Sequence, residues 1–111
     1  MKNLYQITFL IIFLFLGSCT AEKVEWPEPT QESKPWTRWG WMGNAVDEEN
    51  IKRELREFAD AGIGGMEITP IYGVKGTEDR FIEYLSPEFS EILKFTIEEA
   101  NKLGLGVDLP P

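Results

Sequence analysis

The chain has 111 residues, a formal net charge of −8 and an apolar content of 42%, which is that of a globular protein. This length allows one small domain at most, because a mean domain runs to roughly 100–200 residues. The acidic balance argues against nucleic acid as a partner, since phosphates favour clustered Lys and Arg. Histidine is absent, which removes the commonest general base and zinc ligand, and the single cysteine cannot form a disulfide within the chain.

The amino terminus has the pattern of an export signal. Lys2 supplies a positive charge and residues 4–16 are largely apolar, as in the n-region and h-region of a signal peptide. This run is too short to cross a membrane as a helix, which takes about twenty apolar residues. The sequence Leu16-Gly17-Ser18-Cys19 then resembles a bacterial lipobox, in which the cysteine is lipidated and cleavage occurs just before it. We therefore expect residues 1–18 to be a lipoprotein signal peptide; an ordinary signal peptide with an incidental cysteine is the alternative.

Residues 19–35 are expected to be the lipidated cysteine followed by a flexible tether. They contain Pro27, Pro29 and Pro35 and few large apolar residues, so they cannot bury a core and should remain extended. Acyl chains on Cys19 would hold the protein to a membrane, because each buried methylene adds about 0.8 kcal/mol of membrane affinity. The expected location is the bacterial cell envelope, outside the cytoplasm, at the outer membrane or cell surface.

The remaining residues, 36–111, begin with a short aromatic strand and an amphipathic helix. The sequence Trp39-Gly40-Trp41-Met42 has strand character and is ended by Gly43-Asn44. Asp47 is the expected N-cap of a helix, and acidic residues follow it in the first turn. Gly62 is placed to end that helix in the left-handed conformation. Its apolar face repeats at helical spacing and consists of Ile51, Leu55, Phe58 and Ala59.

A second strand, a second helix and a third strand follow. Residues 65–69 are the second strand, stopped by Pro70, and residues 72–80 are a polar loop. Ser86 is the expected cap of the second helix, which Gly104 ends, and residues 105–109 are the third strand. The apolar stripe of the second helix is Phe89, Ile92, Leu93, Ile97, Ala100 and Leu103.

Strands that alternate with helices predict an α/β fold made of parallel βαβ units. Met66 and Ile68 share one face of the second strand, and Glu67 and Thr69 share the other. A polar second face fits the lumen of a barrel better than a sheet covered by helices on both faces. We therefore predict the first three strands and two helices of a truncated (β/α)8 TIM-type barrel. An open doubly wound sheet is the alternative, although no Gly-rich phosphate loop follows the first strand.

Three blocks of this sequence resemble glycoside hydrolase family 106. They are the stretch from Lys34 to Asn44, the stretch Ala61-Gly62-Ile63-Gly64-Gly65-Met66-Glu67, and Leu85-Ser86-Pro87-Glu88-Phe89 with its ending Glu99-Ala100-Asn101-Lys102-Leu103-Gly104. The resemblance implies a large, often lipid-anchored α-L-rhamnosidase with a (β/α)8 barrel. It also implies hydrolysis of terminal L-rhamnose with inversion, and it allows calcium dependence in the full-length enzyme. The family's catalytic glutamates lie downstream of the matched region, so no residue of this chain inherits a catalytic role.

Residues at the carboxyl ends of the strands are the candidates for substrate binding, because ligands meet a barrel there. Trp41 and Tyr72 could stack on the C–H faces of a sugar, while Asn44, Glu67 and Asp108 could bind its hydroxyls. Alternatively, Trp41 is a core residue, and Glu67 belongs to a polar layer satisfied by Arg or Lys from other strands. Glu67 and Asp108 could also lie close enough for a carboxylate pair or a metal site. Thr69 is a further candidate by position.

Three functions remain open on the sequence. The first is a fragment of a lipid-anchored glycosidase, inactive by itself, whose parent enzyme acts on rhamnose-containing oligosaccharides or polysaccharides. The second is a non-catalytic, lipid-anchored glycan-binding or interaction module. The third is a barrel enzyme of different chemistry, such as an aldolase or isomerase. The expected partners are a glycan and, through Cys19, a membrane.

Overall fold

The computed structural model describes residues 1–7 and 23–111. Residues 2–7 are helical and exposed. The rest of the predicted signal peptide, together with Cys19, lies outside the described residues, so export and lipidation stay predictions. In the part of the chain that the structure describes, none of the helices combines the length and the hydropathy that crossing a bilayer requires.

Residues 36–108 form a three-stranded sheet with two helices. Along the chain the elements are β1 (Trp36–Met42), α1 (Glu48–Asp60), β2 (Gly65–Ile71), α2 (Pro87–Lys102) and β3 (Gly106–Asp108). The strands lie in the order β1-β2-β3, and both neighbouring pairs are parallel. The structure therefore confirms the predicted α/β fold with parallel strands.

Both helices begin and end as their sequences predict. The Asp47 side chain accepts a hydrogen bond from the Asn50 backbone N–H at 2.9 Å, and Ser86 Oγ accepts one from the Phe89 N–H at 3.1 Å. Gly62 and Gly104 follow the two helices with φ of +79° and +68°. The N–H of each glycine and the N–H of the residue after it donate hydrogen bonds back to the last turn, as in a Schellman motif, which satisfies carbonyls that the helix leaves free.

The second strand continues through Pro70, although the sequence predicted that this proline stops it. The Ile71 carbonyl accepts a hydrogen bond from Gly43 N–H at 2.8 Å, so the polar groups of Ile71 face β1. Those of the adjacent Pro70 therefore point to the opposite edge of β2. β3 pairs only with residues 65–67, so a proline at position 70 removes no hydrogen bond from the sheet.

The segment predicted as tether divides into two parts in the structure. Residues 23–30 are exposed and have no regular secondary structure. Gln31–Ser33 instead form a 3-10 turn, and Gln31 Nε2 donates a hydrogen bond to the Gly104 carbonyl at 2.9 Å. The Pro35 carbonyl accepts another from Gly64 N–H. The folded region therefore begins about five residues before the predicted boundary at residue 36.

The core lies between the helices and one face of the sheet. A chain of edge-to-face aromatic contacts crosses it, with ring centroids 5.0 to 6.1 Å apart. Its order is Phe58, Trp39, Trp41, Phe89 and Tyr84, so it joins α1 to α2 through two side chains of β1. Of these aromatics Trp39, Trp41 and Phe89 are buried, and the other buried apolar residues of the described chain are Ile51, Leu55, Met66, Ile68, Ala100 and Leu105.

The second helix is turned slightly from its predicted orientation. Phe89 and Ala100 are buried, but Ile97 is 38% exposed, while Thr96 is fully buried and donates a hydrogen bond to the Ile92 carbonyl. The helix therefore faces the core through positions 89, 92, 96 and 100. Part of the predicted apolar stripe lines a surface groove of about 390 Å³ instead, with Leu85, Phe89, Leu93 and Ile97 in its wall.

Candidate functional site

The face of the sheet opposite the helices is the candidate site, and we refer to it as the open face. Its first row, at the amino ends of the strands, consists of Trp36, Gly65 and Gly106. The Trp36 indole reaches across β2 to β3. A Cβ added to Gly65 would sit 2.7 Å from this indole, and one added to Gly106 would sit 2.2 Å from it. These glycines leave the space that the indole occupies.

The second row of the open face is charged and consists of Arg38, Glu67 and Asp108, which the strand register aligns. Arg38 Nε lies 3.2 Å from Glu67 Oε1, and the Thr69 hydroxyl lies 3.3 Å from the same oxygen. The structure thus places Glu67 and Asp108 side by side on neighbouring strands, and Thr69 contacts Glu67 from the next position on the same face of β2. Asp108 Oδ1 accepts a hydrogen bond from the Leu109 N–H at 2.8 Å.

The sequence did not single out Arg38. The alternative for Glu67 was a cation from other strands, whereas Arg38 on β1 supplies one within this chain. The signal that could have identified Arg38 is its parity in β1. It is separated from Trp36 and Gly40 by one residue on each side, and it therefore shares their face.

Trp41 lies in the core, which answers the question that the sequence left open. The residue is 1% exposed and packs edge-to-face against Trp39 and Phe89. Its ring has no face open to a sugar, because odd-numbered positions of β1 point under the helices. Its Nε1 atom is buried and has no hydrogen-bond partner among the described residues.

Asn44 is a structural clamp at the carboxyl end of β1. It is 5% exposed with φ of +51°, a left-handed conformation that Asn tolerates better than most residues. Its Nδ2 donates a hydrogen bond to the Ile82 carbonyl at 3.1 Å, and Ile82 N–H donates one to the Gly43 carbonyl at 3.0 Å. These bonds tie the loop before α2 to the end of β1, so Asn44 orders the rim, and its Oδ1 is buried without a hydrogen-bond partner among the described residues.

Phe81 completes this clamp, and the sequence did not identify it. Its ring lies between Gly43 and Gly73, where an added Cβ would come within 2.5 Å and 1.9 Å of ring atoms. The two glycines that the sequence marks only as turn residues therefore form a seat for an aromatic ring. Tyr72, adjacent to this seat at the carboxyl end of β2, is 91% exposed, and its ring is the freest aromatic face at this rim.

The acidic side chains of the described residues do not form a metal centre. In the stretches 1–7 and 23–111 there is no group of three or more His, Cys, Asp or Glu residues arranged to hold a metal ion. Of the two carboxylates on the open face, Glu67 is paired with Arg38. A cleft of about 290 Å³ between the helix starts is lined by Asp47, Glu48, Glu88 and Glu91. Hydrogen bonding from the Asn50 backbone N–H lowers the pKa of Asp47 within it.

Comparison with known proteins identifies the family of the chain. The family model described as α-L-rhamnosidase, glycoside hydrolase family 106, matches residues 27–110. A solved structure, that of rhamnosidase from Novosphingobium sp. PP1Y, is similar with a TM-score of 0.60 and 23% sequence identity. The similar region covers 74% of this chain and 8% of that one, so the chain spans a small part of this relative's length. No match was found among curated proteins. Because the family model covers most of its residues, the chain belongs to glycoside hydrolase family 106, the α-L-rhamnosidase family.

Proposed function

We propose that this chain is the amino-terminal part of a lipid-anchored glycoside hydrolase that removes terminal α-L-rhamnose from glycans. The observation that carries the proposal is the open face of the sheet, where parallel strands align Arg38, Glu67 and Asp108 opposite the helix-covered core. Such a face suits the lumen of a (β/α)8 barrel, in which the strands point their carboxyl ends at the substrate. Family membership supports the reaction, and the similar fold of a rhamnosidase supports the barrel.

In this proposal the chain binds substrate and does not carry out bond cleavage. Inverting glycosidases use one carboxylic acid to protonate the leaving oxygen and a second carboxylate to activate water. The resemblance implies that those carboxylates lie downstream of the matched residues, and Glu67 is held by Arg38 and Thr69. Asp108 would meet sugar hydroxyls and Tyr72 a C–H face, while the contacts of Asn44 and Phe81 hold the loop before α2 against the end of β1.

Hydrolysis of an aryl α-L-rhamnoside tests the proposal. A polypeptide that joins this chain to the further barrel strands of its family should release L-rhamnose. The first product should be the β-anomer, because hydrolysis with inversion changes the α-configuration. The 111-residue chain alone should release none. Aryl β-D-glucoside is the control substrate and should not be cleaved. A joined polypeptide that folds but cleaves no rhamnoside would overturn the proposed reaction.

The proposed location is the bacterial cell envelope, with the chain held to a membrane by acyl chains on Cys19. The support is the sequence Leu16-Gly17-Ser18-Cys19 and the exposed stretch 23–30 that separates this cysteine from the fold. In a bacterial host, Cys19→Ala should move the protein from the membrane fraction to the soluble fraction or leave its signal uncleaved. Ser33→Ala, which lies outside the motif, is the matched control. Equal membrane association of both variants, with the signal cleaved from both, would contradict lipid anchoring.

A glycan-binding module without catalysis is the second candidate. The observation that favours it is that the charged row of the open face is accessible in this chain, with the Arg38 side chain 80% exposed. This function predicts that the chain binds a rhamnose-containing glycan when no further strands are supplied. A rhamnosidase activity that appears only with those strands favours the first candidate.

A further inference from the structure

The charged row divides its polar groups into those already engaged and those that are free. Glu67 Oε1 faces both Arg38 Nε and the Thr69 hydroxyl. The contact of Arg38 with the described residues is through Nε, so its two Nη groups have no partner there. Asp108 uses Oδ1 for the Leu109 N–H, which leaves Oδ2 without a described partner. The row therefore presents a donor fork on β1 and an acceptor on β3.

The surroundings of the row leave it accessible from one side. On the amino-terminal side the Trp36 indole covers Gly65 and Gly106. On the carboxyl-terminal side the next position of β1 is Gly40, which has no side chain. A Cβ added there would meet Ile71 Cδ1 at 3.3 Å, the end of a flexible side chain. The row itself is exposed on the side of the sheet away from the helices, with the Arg38 side chain 80% and the Glu67 side chain 31% exposed, so a ligand can reach it from that side.

The charges of the row favour a neutral, hydroxyl-rich ligand. Two carboxylates and one guanidinium sum to one negative charge, which disfavours an anionic group. The guanidinium of Arg38 in turn disfavours a bound metal ion, which would lie beside a fixed positive charge. A sugar hydroxyl both donates and accepts hydrogen bonds, so neighbouring hydroxyls can use the Nη donors and the Asp108 acceptor together.

We propose that Arg38 and Asp108 contact a pair of neighbouring hydroxyls of a neutral sugar, with Glu67 as the positioning residue that holds the Arg38 guanidinium toward them. This inference rests on the proposed function, in which the open face meets a rhamnoside. It assigns different roles to the two carboxylates: Asp108 touches the ligand, and Glu67 acts through Arg38. It also adds Arg38 as a residue that determines which sugar binds.

Titration of the 111-residue chain with methyl α-L-rhamnoside, followed by NMR chemical shifts, tests this inference. Asp108→Asn and Arg38→Lys should each weaken binding roughly tenfold or more, because each removes a charge-assisted hydrogen bond or its fork geometry. Arg56→Gln on the outer side of α1 is the matched control and should not change the affinity. An unchanged circular dichroism spectrum establishes that each variant is folded. A folded wild-type chain that does not bind the rhamnoside would overturn the inference.

A double-mutant cycle tests the positioning role of Glu67. Glu67→Gln should weaken binding in the wild-type background and have no further effect in an Arg38→Gln background, because it acts through that guanidinium. Equal losses in both backgrounds would overturn the positioning role. In the joined polypeptide, Arg38→Lys should raise KM for the rhamnoside. Hydrolysis with an unchanged KM would overturn this inference alone, whereas a joined polypeptide without any hydrolysis would overturn the proposed function.

Discussion

At the scale of single residues, the contacts that shape the candidate site contribute little to stability. The Arg38 side chain is 80% exposed, and an exposed ion pair such as Arg38–Glu67 typically contributes about 0–1 kcal/mol. Its importance is therefore the orientation of two polar groups. The side chains of Trp36 and Phe81 are held differently, because each ring occupies volume that two glycines leave free. Their positions are therefore fixed by packing.

Gly65→Ala tests the packing of the Trp36 indole over Gly65. The added Cβ would lie 2.7 Å from both the Gly106 carbonyl oxygen and the Trp36 indole, and the backbone of a paired strand cannot shift easily. We expect a loss of roughly 1–3 kcal/mol in the free energy of unfolding, measured by denaturant titration. Gly40→Ala is the matched control on the same face, and it should cost less because its nearest contact is the end of the Ile71 side chain. Equal losses for the two variants would contradict this account.

Asp47 should make the stability of the chain depend on pH. The Asn50 backbone N–H lowers its folded-state pKa below the ordinary value of 3.8. Stabilisation by the ionised cap is therefore present above that value and is lost as the pH falls through the lower folded-state pKa. The melting temperature of the wild type should fall between pH 5 and pH 2 (roughly the range in which such carboxylates titrate) by more than that of Asp47→Asn, which keeps a capping side chain that does not titrate. Parallel curves for the two proteins would contradict the prediction.

At the scale of secondary-structure elements, the helices are defined by short sequence signals at their ends. Each begins at a side chain that accepts a hydrogen bond from the N–H three residues later, and each is followed by a glycine with positive φ. These signals act over a few residues, and for that reason the sequence predicted all four ends. The extent of strands is less local, since β2 runs past Pro70 only because β3 is too short to reach it.

Ser86→Ala tests the start of α2. It removes the acceptor for the Phe89 N–H, and loss of such a cap typically costs about 1 kcal/mol. Ser90→Ala is the matched control within the same helix turn, because the exposed Ser90 hydroxyl only donates to the Ser86 carbonyl and Ala has the higher helix propensity. Unfolding by urea should show a lower midpoint for Ser86→Ala than for Ser90→Ala. The reverse order would show that this cap does not stabilise the helix.

Leu55→Ala tests the packing of α1 against the sheet. Leu55 is fully buried, and truncation of such a side chain removes apolar contacts and leaves a cavity. The expected loss in the free energy of unfolding is roughly 2–5 kcal/mol, which is a large share of the stability of a small domain. Arg56→Ala, at the exposed neighbouring position, should change the stability little. A loss below about 1 kcal/mol for Leu55→Ala would show that α1 is not tightly packed.

At the scale of the whole molecule, the described fold leaves apolar surface uncovered on two sides. The groove on α2 has Leu85, Leu93 and Ile97 in its wall, and Leu85 adopts a φ of +63° with 71% of its surface exposed. On the open face Trp36 is 45% exposed. Contiguous apolar surface of this kind marks contact sites in proteins.

This uncovered surface predicts that the chain self-associates as its concentration increases. The double variant Leu85→Lys and Ile97→Lys should reduce the weight-average mass measured by sedimentation velocity, because it places charges in the α2 groove. The matched control is the double variant Glu91→Lys and Glu98→Lys. It changes the net charge of the chain more than the first double variant does, but it removes no apolar side chain. A wild-type chain that stays monomeric at all concentrations would contradict the prediction.

The candidate site could be predicted from the sequence only in part. The pairing of Glu67 with Asp108 followed from strand parity, because alternation within β2 and β3 separates apolar from polar residues. The same reasoning failed for β1, whose tryptophans occupy both parities at positions 36, 39 and 41, so that hydrophobicity does not show which face is buried. Trp41 was therefore considered for sugar binding, although it lies in the core.

The sequence by itself determined the order of strands and helices, their caps and the polar face of two strands, since hydrogen bonds within a few residues and side-chain alternation set these features. Only the tertiary structure decided that Arg38 lies beside Glu67, that Phe81 is seated between Gly43 and Gly73, and that Gln31 joins the fold. These contacts depend on strand register and on space left by distant glycines. Such features arise when separate segments pack together, and no single segment encodes them.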